Sequence, residues 1–211
     1  MEVKRAGTRE GGRAGSLQAE RSQATRAALL QTARELFAQR GYAAVGTEEI
    51  VRAAGVTRGA LYHHFEGKLE LFEAVYEQVE EQLMTRIAEA VAEIEVQAPL
   101  RALEVGAQAF LDASESDRAV QQIALVDAPS VLGWERWREI GMRFALGMVQ
   151  ATLDAAIAAG EVAPQPVGPL AHLLLGAIDE GAMLIARADD AGETRRQVGE
   201  SVTRMLQAFA A

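Results

Sequence analysis

A chain of 211 residues with 49% hydrophobic and 24% charged side chains can bury one or two cores and belongs with soluble globular proteins rather than fibrous or disordered ones. It contains no cysteine, which excludes disulfides, thiolate metal sites and cysteine chemistry and fits a reducing compartment. A net charge of −9 is unusual for a chain that meets a polyanion, but the charge is unevenly divided: residues 1–68 sum to +4 and residues 69–211 to −13. Such a split would steer a polyanion to the basic end, or it simply reflects that most soluble domains are acidic.

In chain order, residues 1–20 carry Lys4, Arg5, Arg9 and Arg13 among glycines and read as a flexible basic arm; without an apolar stretch they are no secretory signal. Residues 20–40 place Ala28, Leu29, Ala33, Leu36 and Phe37 on one helical stripe, closed by Gly41. Thr47 is the expected N-cap of a second helix to Ala54, with Glu48 and Glu49 where the macrodipole favours negative charge. Gly55 turns the chain, Thr57 caps a third helix, and Gly67 precedes a fourth over residues 68–96 that buries Leu71, Val75, Val79, Leu83, Ile87 and Ile94.

Five more helices are expected: from Pro99 to about Ala113, over residues 117–126, 134–159 and 170–187, and from about Glu193 to Phe209. Nothing argues for strands. The expected fold is all-α, with a helix-turn-helix unit over residues 21–67 and a six-helix body over residues 68–211. Asp179 and Glu180 interrupt the most apolar stretch, so no membrane span is expected and the chain reads as cytoplasmic.

Residues 47–68, TEEIVRAAGVTRGALYHHFEGK, carry the chemistry. Ile50, Ala54, Val56 and Leu61 fall on the buried positions of a helix-turn-helix, and His64 falls there less surely. The second helix of such a unit enters the major groove with its N-terminal residues at base edges. Arg58 is then the base reader, because its planar fork matches guanine O6 and N7. Thr47, Thr57, Tyr62, His63 and Lys68 suit phosphates, and Gly59 permits close approach. Taken singly, either His63 or His64 reads better as a packing residue.

The run AGVTRGALYHHF, followed by Lys68 and Leu71 and preceded by ARELFAQRGY, resembles the N-terminal domain of the TetR family of transcriptional regulators over roughly residues 26–72. The resemblance implies DNA contacts at Thr47, Thr57, Arg58, Gly59, Tyr62, His63 and Lys68, and a homodimer on a palindromic double-stranded DNA operator. His64, beside them, completes the candidate set. One departure is Val51, where the family usually places alanine against the recognition helix.

The resemblance also implies a small-molecule effector bound among the body helices, and so a repressor released from its operator by that effector. Phe110, Trp134 and Trp137, with Gln121, Asp127 and Arg143 for polarity, are the candidate ligand residues, although an aromatic stripe is more often core than pocket. His172 and Asp179 share a helix face but two ligands make no metal site, so no metal and no cofactor is expected. Leu174, Ala177, Gly181 and Ile185 on one helix, with Val198, Val202, Met205 and Phe209 on the next, are stripes that suit a four-helix dimer interface or the body's own core. An enzyme is not expected, since no carboxylate pair or nucleophile motif is present.

Overall fold

In a computed structural model that describes residues 8–92, 94 and 98–210, with side chains from residue 18 onward, helix follows helix through the chain. The elements are α1 (Thr8–Arg40), α2 (Thr47–Ala53), α3 (Arg58–His64), α4 (Lys68–Ala92), α5 (Pro99–Ser116), a π-helical segment (Val120–Asp127), α6 (Ala128–Val131), α7 (Trp134–Ala158), α8 (Val167–Arg187) and α9 (Ala191–Gln207). Among the described residues the only extended pairing is an isolated bridge between Val162 and Ala210.

Helices α1 to α3 and the first turns of α4 close one end of the molecule over Leu29, Phe37, Ile50, Leu61, Phe65, Leu71 and Phe72, all buried. Phe72 meets Phe37 edge-on at 5.4 Å and Tyr42 at 4.9 Å between ring centroids, a geometry worth about 0.5–1.5 kcal/mol per pair beyond the area it buries. Gly41 and Gly55 end α1 and α2 at φ of +77° and +67°, where an L side chain would be strained. In the body, α5 is central and packs on α4, α7, α8 and α9.

Four expectations are corrected. The expected basic arm is in helix from Thr8, because once the packed half of α1 is formed each added residue needs only one more hydrogen bond; residues 1–7 lie outside the described residues. Thr47 does not cap α2. Gly46 takes that place in extended conformation, and its carbonyl receives the Glu49 and Ile50 amides. The expected helix over residues 117–126 is a π-helix that runs straight into α6. The α8 and α7 stretches are also long and apolar enough to cross a membrane by length and composition, despite Asp179 and Glu180. Both pack within the helical body, and Arg138 of α7 bonds Asp179 of α8 between them at 3.0 Å.

The α8 and α9 stripes turn inward. Leu174, Gly181, Ile185 and Val202 are buried within the one chain, and Val198, Met205 and Phe209 pack partly buried against the same core. Leu174, Gly181, Ile185 and Val202 are thus committed to the chain's own core, and Val198, Met205 and Phe209 keep only part of their surface outward. Only Ala177 of that set is exposed, and the apolar side chains beside it on the outer face of α8 are Leu173, 72% exposed, and Leu184, 53% exposed.

A Cβ at Gly181 would lie 2.6 Å from Cγ1 of Val198, a β-branched side chain with little rotamer freedom. Gly181→Ala should therefore destabilise the folded chain by about 1–3 kcal/mol despite alanine's better helix propensity. Val198→Ala in the same chain should restore part of the loss. Urea denaturation of the two single variants and the double variant measures the coupling, and additive losses would show that the two residues do not meet.

Candidate nucleic-acid interface and body cavity

The recognition helix α3 is only seven residues long, so its position depends on what it buries rather than on its own propensity. Leu61 and Phe65 anchor it in the core, and the Thr57 hydroxyl caps it by accepting the Ala60 amide at 3.1 Å. With that face fixed, Arg58, Gly59, Tyr62 and His63 all point to solvent. The Arg58 guanidinium lies 5.5 Å from the centroid of the Tyr62 ring and 3.5 Å from the Glu48 carboxylate of α2. So exposed a pair is screened by solvent and contributes little, so Arg58 is pointed outward but easily released to a stronger partner. Arg52, at the end of α2, is a further exposed cation on this side that the sequence reading did not single out.

The remaining candidates sit differently. His64 is half-buried against His63 and the Phe65 ring; burial, then the neighbouring His63 and Arg26 charges, lower its pKa and so disfavour its charged form. Thr47 is half-buried in the first turn of α2. Val51 is buried beneath the turn, and its carbonyl receives the Val56 amide at 3.0 Å. Lys68 is turned inward: its Nζ donates to the Tyr42 carbonyl at 2.5 Å and sits 3.9 Å from the centroid of that ring.

Lys68 belongs to a junction between the helix-turn-helix and the body. Oδ2 of Asp127, the last residue of the π-helix, accepts the Tyr42 amide at 2.7 Å, and its Oδ1 accepts from Gln122 at 3.1 Å. Asp127 also draws on the Lys68 charge, opposing the fall in the lysine's pKa that burial causes. The other end of the π-helix is fixed too: Asp117 accepts the Ala119 amide at 2.8 Å and pairs with Arg86 of α4 at 2.8 Å.

Between these clamps the π-helix forms a wall of an interior cavity of about 120 Å³, enclosed mainly by α4, α5, α7 and α8. Its apolar lining includes Met84, Phe110, Ala124, Trp137, Met142 and Ile178. Of the six expected ligand residues, Phe110 and Trp137 are there, and the Trp137 indole also donates to the Ala124 carbonyl at 2.9 Å. The other four are elsewhere. Trp134 is 55% exposed beside Trp137, Arg143 pairs with Glu77 at 2.5 Å on the surface, Gln121 donates to the Glu115 carbonyl, and Asp127 serves the junction. Each has a stronger local partner, or solvent, than the cavity offers.

The polar side chains of the cavity lining are Tyr76, Glu80, Arg138, Thr152 and Asp179. The sequence signal for Glu80 was its place in the buried α4 stripe, four residues after Tyr76 and four before Met84. Burial pushes its carboxyl up to about 7, against a lowering hydrogen bond from Tyr76. The Tyr76 hydroxyl also donates to the Trp137 carbonyl at 3.2 Å, so its single proton is shared between two acceptors. Burial likewise raises Asp179, to about 6, opposed by its pairing with Arg138. His172 is exposed, and among the described residues no group of acidic or histidine side chains has metal-binding spacing.

A short outward-facing recognition helix, held by a body that encloses a cavity and is tied to it through α4 and a hydrogen-bonded junction at Tyr42, defines a helix-turn-helix DNA-binding regulator. Comparison with known proteins agrees. Residues 29–75 match the family of bacterial regulatory proteins, tetR family, and residues 100–209 match the tetracyclin repressor-like C-terminal domain. The chain is 31% identical to the Transposon Tn10 TetC protein of Escherichia coli over 159 residues, 75% of this chain and 79% of that one. A crystal structure of a TetR-family transcriptional regulator from Pectobacterium atrosepticum superposes with a TM-score of 0.80 at 30% identity, covering 91% of this chain and 97% of that one. RolR, solved in complex with resorcinol, shares the fold at a TM-score of 0.69 and 20% identity, with 89% of each chain covered. The chain belongs to the TetR family of transcriptional regulators.

Glu80 gives stability a pH dependence of definite sign. Between about pH 4.5, where the carboxyl ordinarily titrates, and about 7, the folded chain keeps a proton that the unfolded chain has lost. Its contribution is therefore full below about 4.5 and falls as pH rises to 7. Melting curves at pH 5 and pH 8 should show a gain at pH 5 that Glu80→Gln lacks, of order 1–3 kcal/mol. Equal pH dependence in the two proteins would mean that Glu80 ionises freely.

Proposed function

We propose that this regulator is a cytoplasmic homodimeric repressor that reads a palindromic operator through Arg58 and is released by a small molecule bound in the body cavity. The observation that carries the reading is the shared use of two elements. The π-helix lines the cavity with Val120, Ala124 and Leu125 and ends on the Asp127 clamp, while α4 contributes Phe72 to the helix-turn-helix core and Tyr76, Glu80 and Met84 to the cavity. A ligand that reshapes the cavity must move a wall whose far end holds the DNA-reading unit. Coupling of about 1–3 kcal/mol is typical of such a link and changes operator affinity about 5–150-fold.

Two copies are needed to read two half-sites one helical turn apart. The outer face of α8, with Leu173, Ala177 and Leu184 exposed, is the apolar surface available for that contact. RolR's complex with resorcinol supports a ligand site inside this fold. On the DNA side, Thr57, Gly59, Tyr62 and His63 hold the recognition helix against the backbone, Thr47 contributes from α2, and Lys68 and His64 support the unit from within.

On an operator selected from random-sequence duplexes, Arg58→Ala should lose about 1–3 kcal/mol of discrimination against scrambled DNA, with little change in melting temperature. Retained selectivity in competition binding would remove Arg58 as the base reader. Asp127→Ala, which leaves every outward-facing residue of α3 in place, should change operator affinity at least about fivefold by freeing the Tyr42 amide. An unchanged affinity would disconnect the π-helix from the reading unit.

A further inference from the structure

The charge balance of the body cavity selects its ligand, an inference that rests on the effector reading above. Glu80 projects from α4 into the cavity, nine-tenths buried, and no Lys, Arg or His among the described residues pairs with it. Its neighbours from the surrounding helices are Tyr76 on α4, Asp179 on α8 and Arg138 on α7. Arg138 is already committed, at 3.0 Å to Asp179 and at 3.5 Å to the His172 carbonyl. The cavity lining therefore holds two carboxyls and one guanidinium, and the guanidinium is spent on Asp179.

We infer that the cavity takes a compact aryl-alkyl ammonium ion, its ring among Phe110, Trp137 and the cavity methionines and its cationic nitrogen at the Glu80 carboxylate. The cavity size favours a single ring. At about 120 Å³ it is close to the roughly 150 Å³ apolar cavity known to hold benzene. The walls suit the cation as well: aromatic faces attract an ammonium, most strongly where water is excluded. A buried carboxylate without a cation is costly, and the ligand removes that cost, which a neutral or anionic ligand cannot do.

An anion would have to break the Arg138–Asp179 pair and sit beside Glu80. A neutral ring would fill the space and leave the carboxyl as it is. Because the unliganded Glu80 holds its proton at mildly acidic pH, ammonium binding there transfers that proton from the carboxyl to the buffer. The nitrogen stays protonated and no bond to the ligand is formed.

Three probes of one shape decide it: 2-phenylethylamine, propylbenzene and 3-phenylpropionate, titrated into the full-length protein with Trp137 fluorescence and calorimetry as readouts. The expected result is binding of the amine at least about tenfold tighter than either of the others at pH 7, with proton release at pH 6 seen as a buffer-dependent heat. In Glu80→Gln the preference should reverse, the amine binding more weakly than propylbenzene; uptake of propylbenzene by this variant shows that its cavity is formed. Tighter binding of propylbenzene or 3-phenylpropionate by the unmutated protein, or unchanged amine binding by Glu80→Gln, overturns the assignment.

Operator binding separates this result from the effector reading. If the neutral probe binds and releases operator DNA while the amine does not bind, the effector reading stands and the charge assignment falls. If the amine binds through Glu80 and operator affinity stays the same, the charge assignment stands and release by an effector falls.

Discussion

Helix α4 buries one continuous stripe from Leu71 to Ile87, and the partners of that stripe change along its length from the α1 to α3 unit to the body. Its first turns complete a core that three short or half-buried helices could not close alone. Its later turns supply cavity walls. A single rigid rod therefore belongs to two cores at once, and neither core can relax without a consequence for the other. In a chain whose recognition helix is only seven residues long, this is the physical source of the position of Arg58.

The body accepts a destabilising arrangement at the place where that coupling is set. A well-packed apolar core would be more stable than one holding Glu80, Tyr76, Arg138 and Asp179, since desolvation of ionisable groups commonly exceeds what their mutual attraction returns. The π-helix is of the same kind. Such segments are rare and cluster at functional sites, because the wider turn gives up regular hydrogen bonding. Here it is held in that form by aspartates at both ends, one paired to α4 and the other to the helix-turn-helix unit.

How much was legible in the sequence follows from how local each signal is. The helix-turn-helix could be read residue by residue, because Ile50, Leu61 and Phe65 must be buried, and that fixes which side of α3 faces out. The all-α fold and the α4 stripe followed from periodicity in the same way. Lys68 and Asp127 could not be placed, since their partner is the backbone of Tyr42, 26 and 85 residues away, and backbone groups leave no trace in a sequence. The α8 and α9 stripes were recognised but not their direction, because an apolar face looks the same whether it meets its own core or another copy. Glu80 was passed over for the opposite reason: an acid in a buried stripe contradicts the pattern, and contradiction is where a site stands out only once the neighbours are known.

The Tyr42 clamp has an evolutionary corollary. The hydrogen bonds of the contact use only the peptide N–H and carbonyl of Tyr42, accepted by Asp127 and donated to by Lys68, while the Tyr42 ring lies against the Lys68 ammonium. Every residue except proline presents the same two groups. Those two hydrogen bonds would survive substitution of the Tyr42 side chain, whereas Gly41 beside it, at positive φ and close to Gln122 and Asp127, leaves no room for a larger residue.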